Sequence, residues 1–156
     1  MEHVGFRVTH RLQLSNESVW NVLGDFGTEH QWTKSLAYCE RNTSSVAVGT
    51  IRTCTLPRAL MGRTKVSEQL TEYSPLNALA YELDGAAGPF ASARSRWSTS
   101  VREDGTTELC VEGHFVPRGS FSRWLVWPLA KPMIRRLTKR VMRELEVYVT
   151  ARSSAA

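Results

Sequence analysis

The chain contains no apolar run approaching the roughly 18 residues that would mark a bilayer-spanning helix, so no transmembrane segment is expected. Its N-terminus lacks the apolar core of a secretory signal, alternating polar and apolar residues from Val4 instead. Only three cysteines occur (Cys39, Cys54 and Cys110), set singly and without a C-x-x-C pair. That argues against a disulfide framework and for free, mostly buried thiols. Together these absences point to a cytoplasmic protein. His3, His10, His30 and His114 have no metal-ligand spacing, and G-x-S-x-G, phosphate-loop and G-x-G-x-x-G motifs are missing. No metal or cofactor is therefore expected. Repeats, low-complexity tracts and linkers are absent too. The 156 residues read as one domain, with a core over about 4–150 and a small polar tail at 151–156 expected to fray.

What the chain has is the composition of an ordinary globular protein: 42% apolar and 22% charged residues, with a formal net charge of +5. A chain of this size buries roughly two-thirds of its unfolded surface. Much of the positive excess is local, in Lys131, Arg135, Arg136, Lys139, Arg140 and Arg143, with no acid among them. Nucleic-acid binding has only the net charge behind it and is not expected. A solvated helix face is the plainest account of the basic run, and a phosphate or lipid-headgroup surface is the alternative.

Alternation over Val4–Leu14 marks a first strand, and Ser15 or Asn16 then caps a short helix carrying Val19, Trp20 and Leu23 on one face. Gly24-Asp25-Phe26-Gly27 ends it, and a second short turn carries His30 and Trp32. Strand patterns follow at Leu36–Arg41, Val48–Leu56, Arg63–Tyr73, Ala78–Leu83, Ser92–Arg102 and Thr107–Val116. The turns between them are short, which demands antiparallel pairing. The final helix repeats Ile134, Leu137, Val141, Leu145 and Tyr148 at three- and four-residue spacing. Pro132 is expected in its first turn, with Phe121–Leu129 as a separate short segment before it.

This order of elements resembles the START-like, or SRPBCC, superfamily, and motifs carry the resemblance as well. Ser18-Val19-Trp20-Asn21-Val22-Leu23-Gly24-Asp25-Phe26 is similar to the first helix of that group, and Trp32 falls where its second helix has an aromatic. Gly49-Thr50-Ile51-Arg52 looks like its third strand. Glu68-Gln69-Leu70 with Tyr73-Ser74-Pro75 resembles its fourth strand and turn, with Ser74 in place of the usual acid. The nearest branch looks like the polyketide cyclase/dehydrase and lipid-transport group. The resemblance implies an α+β helix-grip fold. In it, a seven-stranded curved antiparallel sheet, two short helices and a long C-terminal helix enclose a cavity.

Strand alternation sorts the side chains that would line such a cavity. In Ser92–Arg102 the arginines must face water, which turns Ser95 and Trp97 inward. The family register turns Arg52, Cys54 and Leu56 inward from one strand, Val66, Glu68 and Leu70 from the next, and Tyr81 and Leu83 from the one after. The last strand offers two registers. Plain patterning turns Leu109, Val111, Gly113 and Phe115 inward, whereas the family pattern turns Glu112 and His114 inward and is favoured here. Ile134, Leu137 and Val141 would close the cavity from the helix.

An arginine facing two carboxylates in an enclosed space should pair with one of them, because unpaired buried charge is costly. Binding of a hydrophobic small molecule (a lipid, isoprenoid or polyketide) is the leading reading. A cyclase, aromatase or dehydratase would use the same cavity without a cofactor. Arg52 or Tyr81 would polarise a carbonyl, and Glu68, Glu112 or His114 would move protons. A third reading is delivery at an anionic membrane surface through Phe121, Trp124, Trp127, Lys131, Arg135 and Arg136. For that aromatic segment, a lid or core cap is the plainer expectation.

Overall fold

The computed structural model describes residues 3–60, 63–85 and 88–155. Among them, seven strands form one antiparallel sheet: β1 (Val4–Leu12), β2 (Tyr38–Arg41), β3 (Ile51–Leu60), β4 (Arg63–Ser74), β5 (Ala78–Leu83), β6 (Phe90–Val101) and β7 (Thr107–Pro117). The spatial order is β1-β7-β6-β5-β4-β3-β2. Short connections from β2 onward pair each strand with its successor. β1 closes the far edge against β7, from Val4 opposite Phe115 to Leu12 opposite Thr107.

α1 (Asn16–Leu23) begins at Ser15, whose side chain accepts a hydrogen bond from the Ser18 N–H, and it buries Val19, Trp20, Val22 and Leu23. A 3₁₀ turn, Glu29–Gln31, follows. After β7 come a single turn, α2 (Gly119–Phe121), a π-helical turn (Ser122–Val126) and the long helix α3 (Trp127–Ser154). Pro128 occupies the first turn of α3, and Pro132 lies inside the helix rather than at its start. Helical structure continues to Ser154, so most of the expected frayed tail is ordered helix. Ala156 lies outside the described residues. No described helix is long and apolar enough to cross a membrane.

The core lies between α3 and the concave face of the sheet. Met142, Leu145 and Val149 of α3 are buried against Leu12, Leu109, Val111 and the α1 residues Val19 and Leu23. At its other end α3 is anchored by Trp127, whose ring packs on Phe90 and Phe115 at centroid distances of 6.0 and 5.2 Å. Strand irregularities decide which residues reach this core. β4 shifts register between Leu70 and Glu72, so Val66, Glu68 and Leu70 face in, while Glu72 meets arginines outside and Tyr73 packs on Trp20.

Candidate functional site

Between the buried ends of α3, its residues Leu137, Thr138 and Val141 face the sheet across a cavity of about 210 Å³. The floor is Val66, Glu68, Leu79, Tyr81, Ser95, Trp97 and Val111, drawn from β4, β5, β6 and β7, with Arg52 from β3. Leu23, Glu29, Trp32, Thr33, Ser35 and Leu36 supply the remaining wall. That wall is tied to α3, because Glu144 accepts a 2.6 Å hydrogen bond from the Thr33 hydroxyl and one from the Lys34 N–H.

The polar end of the cavity is built around Arg52, which is only 5% exposed. Its Nε and Nη2 donate to Glu68 at 2.7 and 2.6 Å, and its Nη1 pairs with Glu29. Antiparallel register makes the first contact inevitable, since Arg52 and Glu68 are direct cross-strand partners. Glu29 is held in turn by the Gly27 N–H, at 2.9 and 3.1 Å from its two oxygens. The guanidinium also lies against the Phe26 and Tyr81 rings, 4.4 and 4.2 Å from their centroids. Burial alone would lower the Arg52 pKa, but Glu29 and Glu68 outweigh it and hold the group above its ordinary range. Burial pushes the Tyr81 phenol upward, only partly offset by Arg52. It therefore stays protonated at neutral pH, with Trp97 Nε1 donating to its oxygen at 3.2 Å.

One wall residue carries a buried donor that is left over. Trp32 Nε1 is buried with no hydrogen-bond partner among the described residues. A buried donor without a partner costs free energy that an incoming acceptor would recover.

The expected inward register of β7 is corrected. Val111 lines the cavity, whereas Glu112 lies on the outer face between Arg7 and Arg96, 3.9 Å from each, and His114 is exposed. The inner set includes Gly113, over which the Phe6 ring lies so closely that an added Cβ would sit 2.2 Å from it. Turning Glu112 and His114 inward would evict Phe6, Val111 and Leu109 from the core, so apolar burial sets the register.

The other expected wall residues divide. Arg52, Val66, Glu68, Tyr81, Ser95, Trp97, Leu137 and Val141 meet at the cavity, but Cys54, Leu56, Leu83 and Ile134 are not among its wall residues. Cys54 is bonded to Cys39, and Ile134 packs into the main core. Leu56 and Leu83 are half-buried, farther along β3 and β5. Glu29, Trp32, Thr33 and Ser35 were missed as wall residues because they sit on an irregular segment without strand or helix period, and Leu36 because it was read as the start of a strand that begins only at Tyr38. Trp32 and the turn that carries it were visible, but not the direction they face.

Cys39 and Cys54 were expected as free thiols and instead form a disulfide. They stand directly opposite each other in the β2–β3 ladder, a register that spacing along the chain does not reveal. Cys110 alone is a free, buried thiol among the described residues. The disulfide removes cysteine usage as an argument for a reducing compartment.

A curved seven-stranded antiparallel sheet, a long helix gripping it and a cavity between them define a START-like helix-grip protein. The chain belongs to the polyketide cyclase / dehydrase and lipid transport family, whose model matches residues 3–150. No curated protein matches it. Among solved structures, the crystal structure of Ara h 8.0201 is similar, with a TM-score of 0.76 at 12% identity over 96% of this chain and 99% of that one. At that identity the likeness concerns the fold.

Proposed function

We propose that the protein binds an apolar small molecule, of the size of a substituted two-ring compound, that carries one hydrogen-bond acceptor. The observation behind this is the cavity of about 210 Å³, whose wall is mainly Leu, Val and Trp with its charged groups gathered around Arg52. That volume is below the roughly 300–1,000 Å³ of pockets for drug-sized ligands, which favours a compact isoprenoid or polyketide-like molecule over a two-chain lipid. Trp32 Nε1 is the donor without a partner, and a ligand carbonyl or hydroxyl is its natural complement.

Binding is favoured over catalysis for a chemical reason. Glu29 and Glu68 are both committed to Arg52, so neither is poised to take a substrate proton. A cyclase-type reaction would have to run on Arg52, Glu68 and Tyr81 alone, since Glu112 and His114 lie outside.

The test uses a matched pair, 2-acetylnaphthalene and 2-ethylnaphthalene, followed by tryptophan quenching and thermal shift. Both should raise the melting temperature. Trp32→Phe should weaken the ketone about tenfold and leave the hydrocarbon unchanged, the loss expected of one buried hydrogen bond. If neither probe binds, the binding reading falls. Equal losses for both would remove Trp32 as the acceptor's partner.

A further inference from the structure

The aromatic segment before α3 was expected to be a lid or core cap, and only Trp127 behaves as one. Phe121, Trp124, Leu125, Leu129 and Met133 face solvent, Trp124 at 73% and Leu129 at 68% exposure. Single exposed apolar residues are ordinary, but these five fall within 13 residues, mostly at three- and four-residue steps, through the π-helical turn and the first turns of α3. Beside them Lys131, Pro132, Arg135, Arg136 and Lys139 line a shallow depression. No acidic residue occurs between Val116 and Glu144, so the cluster carries a local excess of positive charge along the chain.

We propose that this face docks on an anionic phospholipid surface, with the apolar side chains entering the headgroup–acyl boundary and the basic depression receiving lipid phosphates. Amphipathic segments that lie in the interface join large apolar side chains to Lys and Arg in this way. The Arg123 guanidinium stacks 5.4 Å from the Trp124 ring centre, giving that ring both an apolar body and a cationic rim. A second copy of the chain is a poorer occupant, because a two-fold contact would press one basic cluster against its twin.

The placement relative to the cavity adds a role. Leu129, Met133, Leu137 and Val141 succeed one another at four-residue steps, hence along one row of α3. The first two are exposed, and the last two line the cavity. An apolar track thus runs from the docking face to the cavity wall, where an apolar ligand would pass between bilayer and protein.

Co-sedimentation with phosphatidylcholine vesicles containing about one-third phosphatidylserine tests this at low salt. The protein should pellet, at least about tenfold more weakly with pure phosphatidylcholine. Arg135→Glu with Arg136→Glu, and separately Trp124→Ser with Leu129→Ser, should each weaken binding about tenfold or more. Both pairs of positions are exposed, and circular dichroism together with unchanged 2-acetylnaphthalene binding would show that fold and cavity survive. Wild-type protein left in the supernatant at low salt would overturn the proposal. So would a dimer in solution that Trp124→Ser with Leu129→Ser converts to monomer. Neither result depends on whether the naphthalene probes bind, so the docking and cavity readings fail separately.

Discussion

Two arginine–glutamate clusters occupy opposite faces of the same sheet. On the concave face Arg52 is enclosed by Glu29, Glu68, Phe26 and Tyr81. On the convex face Arg96 forks onto both oxygens of Glu72 at 2.9 Å, with Arg94 and Glu112 nearby. The residue types are alike, but the surroundings are not. Inside, both charges have lost their water, so each depends on the other; outside, water and salt substitute for a missing partner. The inner cluster is therefore a rigid polar end to a cavity, and the outer one is a solvated ladder.

The sharpest way to break this contrast is to remove the central cation of each cluster. Arg52→Met strands Glu29 and Glu68 and should cost about 3–5 kcal/mol in urea unfolding. Adding Glu29→Gln and Glu68→Gln should recover part of that loss. Arg96→Met should cost under about 1 kcal/mol. Equal losses at the two sites would mean that burial does not separate them.

Next in size is the disulfide, whose sulfurs lie within 4.8 Å of the Glu29 carboxylate. It closes a loop of 15 residues, so Cys39→Ala with Cys54→Ala should lower stability by about 2–3 kcal/mol. Dithiothreitol should reproduce the effect on the wild type and do nothing to the variant.

The smallest effect is one of pH. Hydrogen bonds from Arg96, with the charges of Arg96 and Arg94, hold the Glu72 carboxyl below its ordinary value of 4.5, against the opposing effect of burial. A lowered carboxylate pKa contributes stability above the ordinary value, and that contribution is lost as pH falls through the folded value. Glu72→Gln should therefore flatten the acid limb of the stability curve below about pH 4.5 and leave neutral stability within about 1 kcal/mol. Tyr81 lies on the other side. Its raised pKa contributes stability below the ordinary value of 10.0 and loses it as pH rises, so Tyr81→Phe should flatten the alkaline limb.

The strands were legible because their alternation is strong and their turns are marked. β5 coincides with its expected span, and the others differ mainly at their ends. The inward set of β6 was legible because three arginines cannot share a core. For β7 the plain alternation, with Leu109, Val111, Gly113 and Phe115 inward, was right, and the family register preferred over it was wrong. Phe6 over Gly113 decided it, a contact 107 positions apart in the chain. The α3 stripe was legible as a pattern, yet Leu137 proved half exposed while Met142 is fully buried. Helical spacing shows which residues share a face, not how far the opposing sheet stands away.

By itself the sequence determined the order of elements and their antiparallel pairing, while the inward arginine and glutamate came only with the family resemblance. The order and the pairing follow from local periodicity and turn chemistry, which need no knowledge of distant neighbours. Only the tertiary structure decided that Glu29 completes the Arg52 cluster, that Cys39 meets Cys54 and that Glu112 and His114 face outward. It alone decided that Phe121, Trp124 and Leu129 stay in solvent. Those outcomes depend on register and on which surfaces meet, and long-range apolar burial selects both.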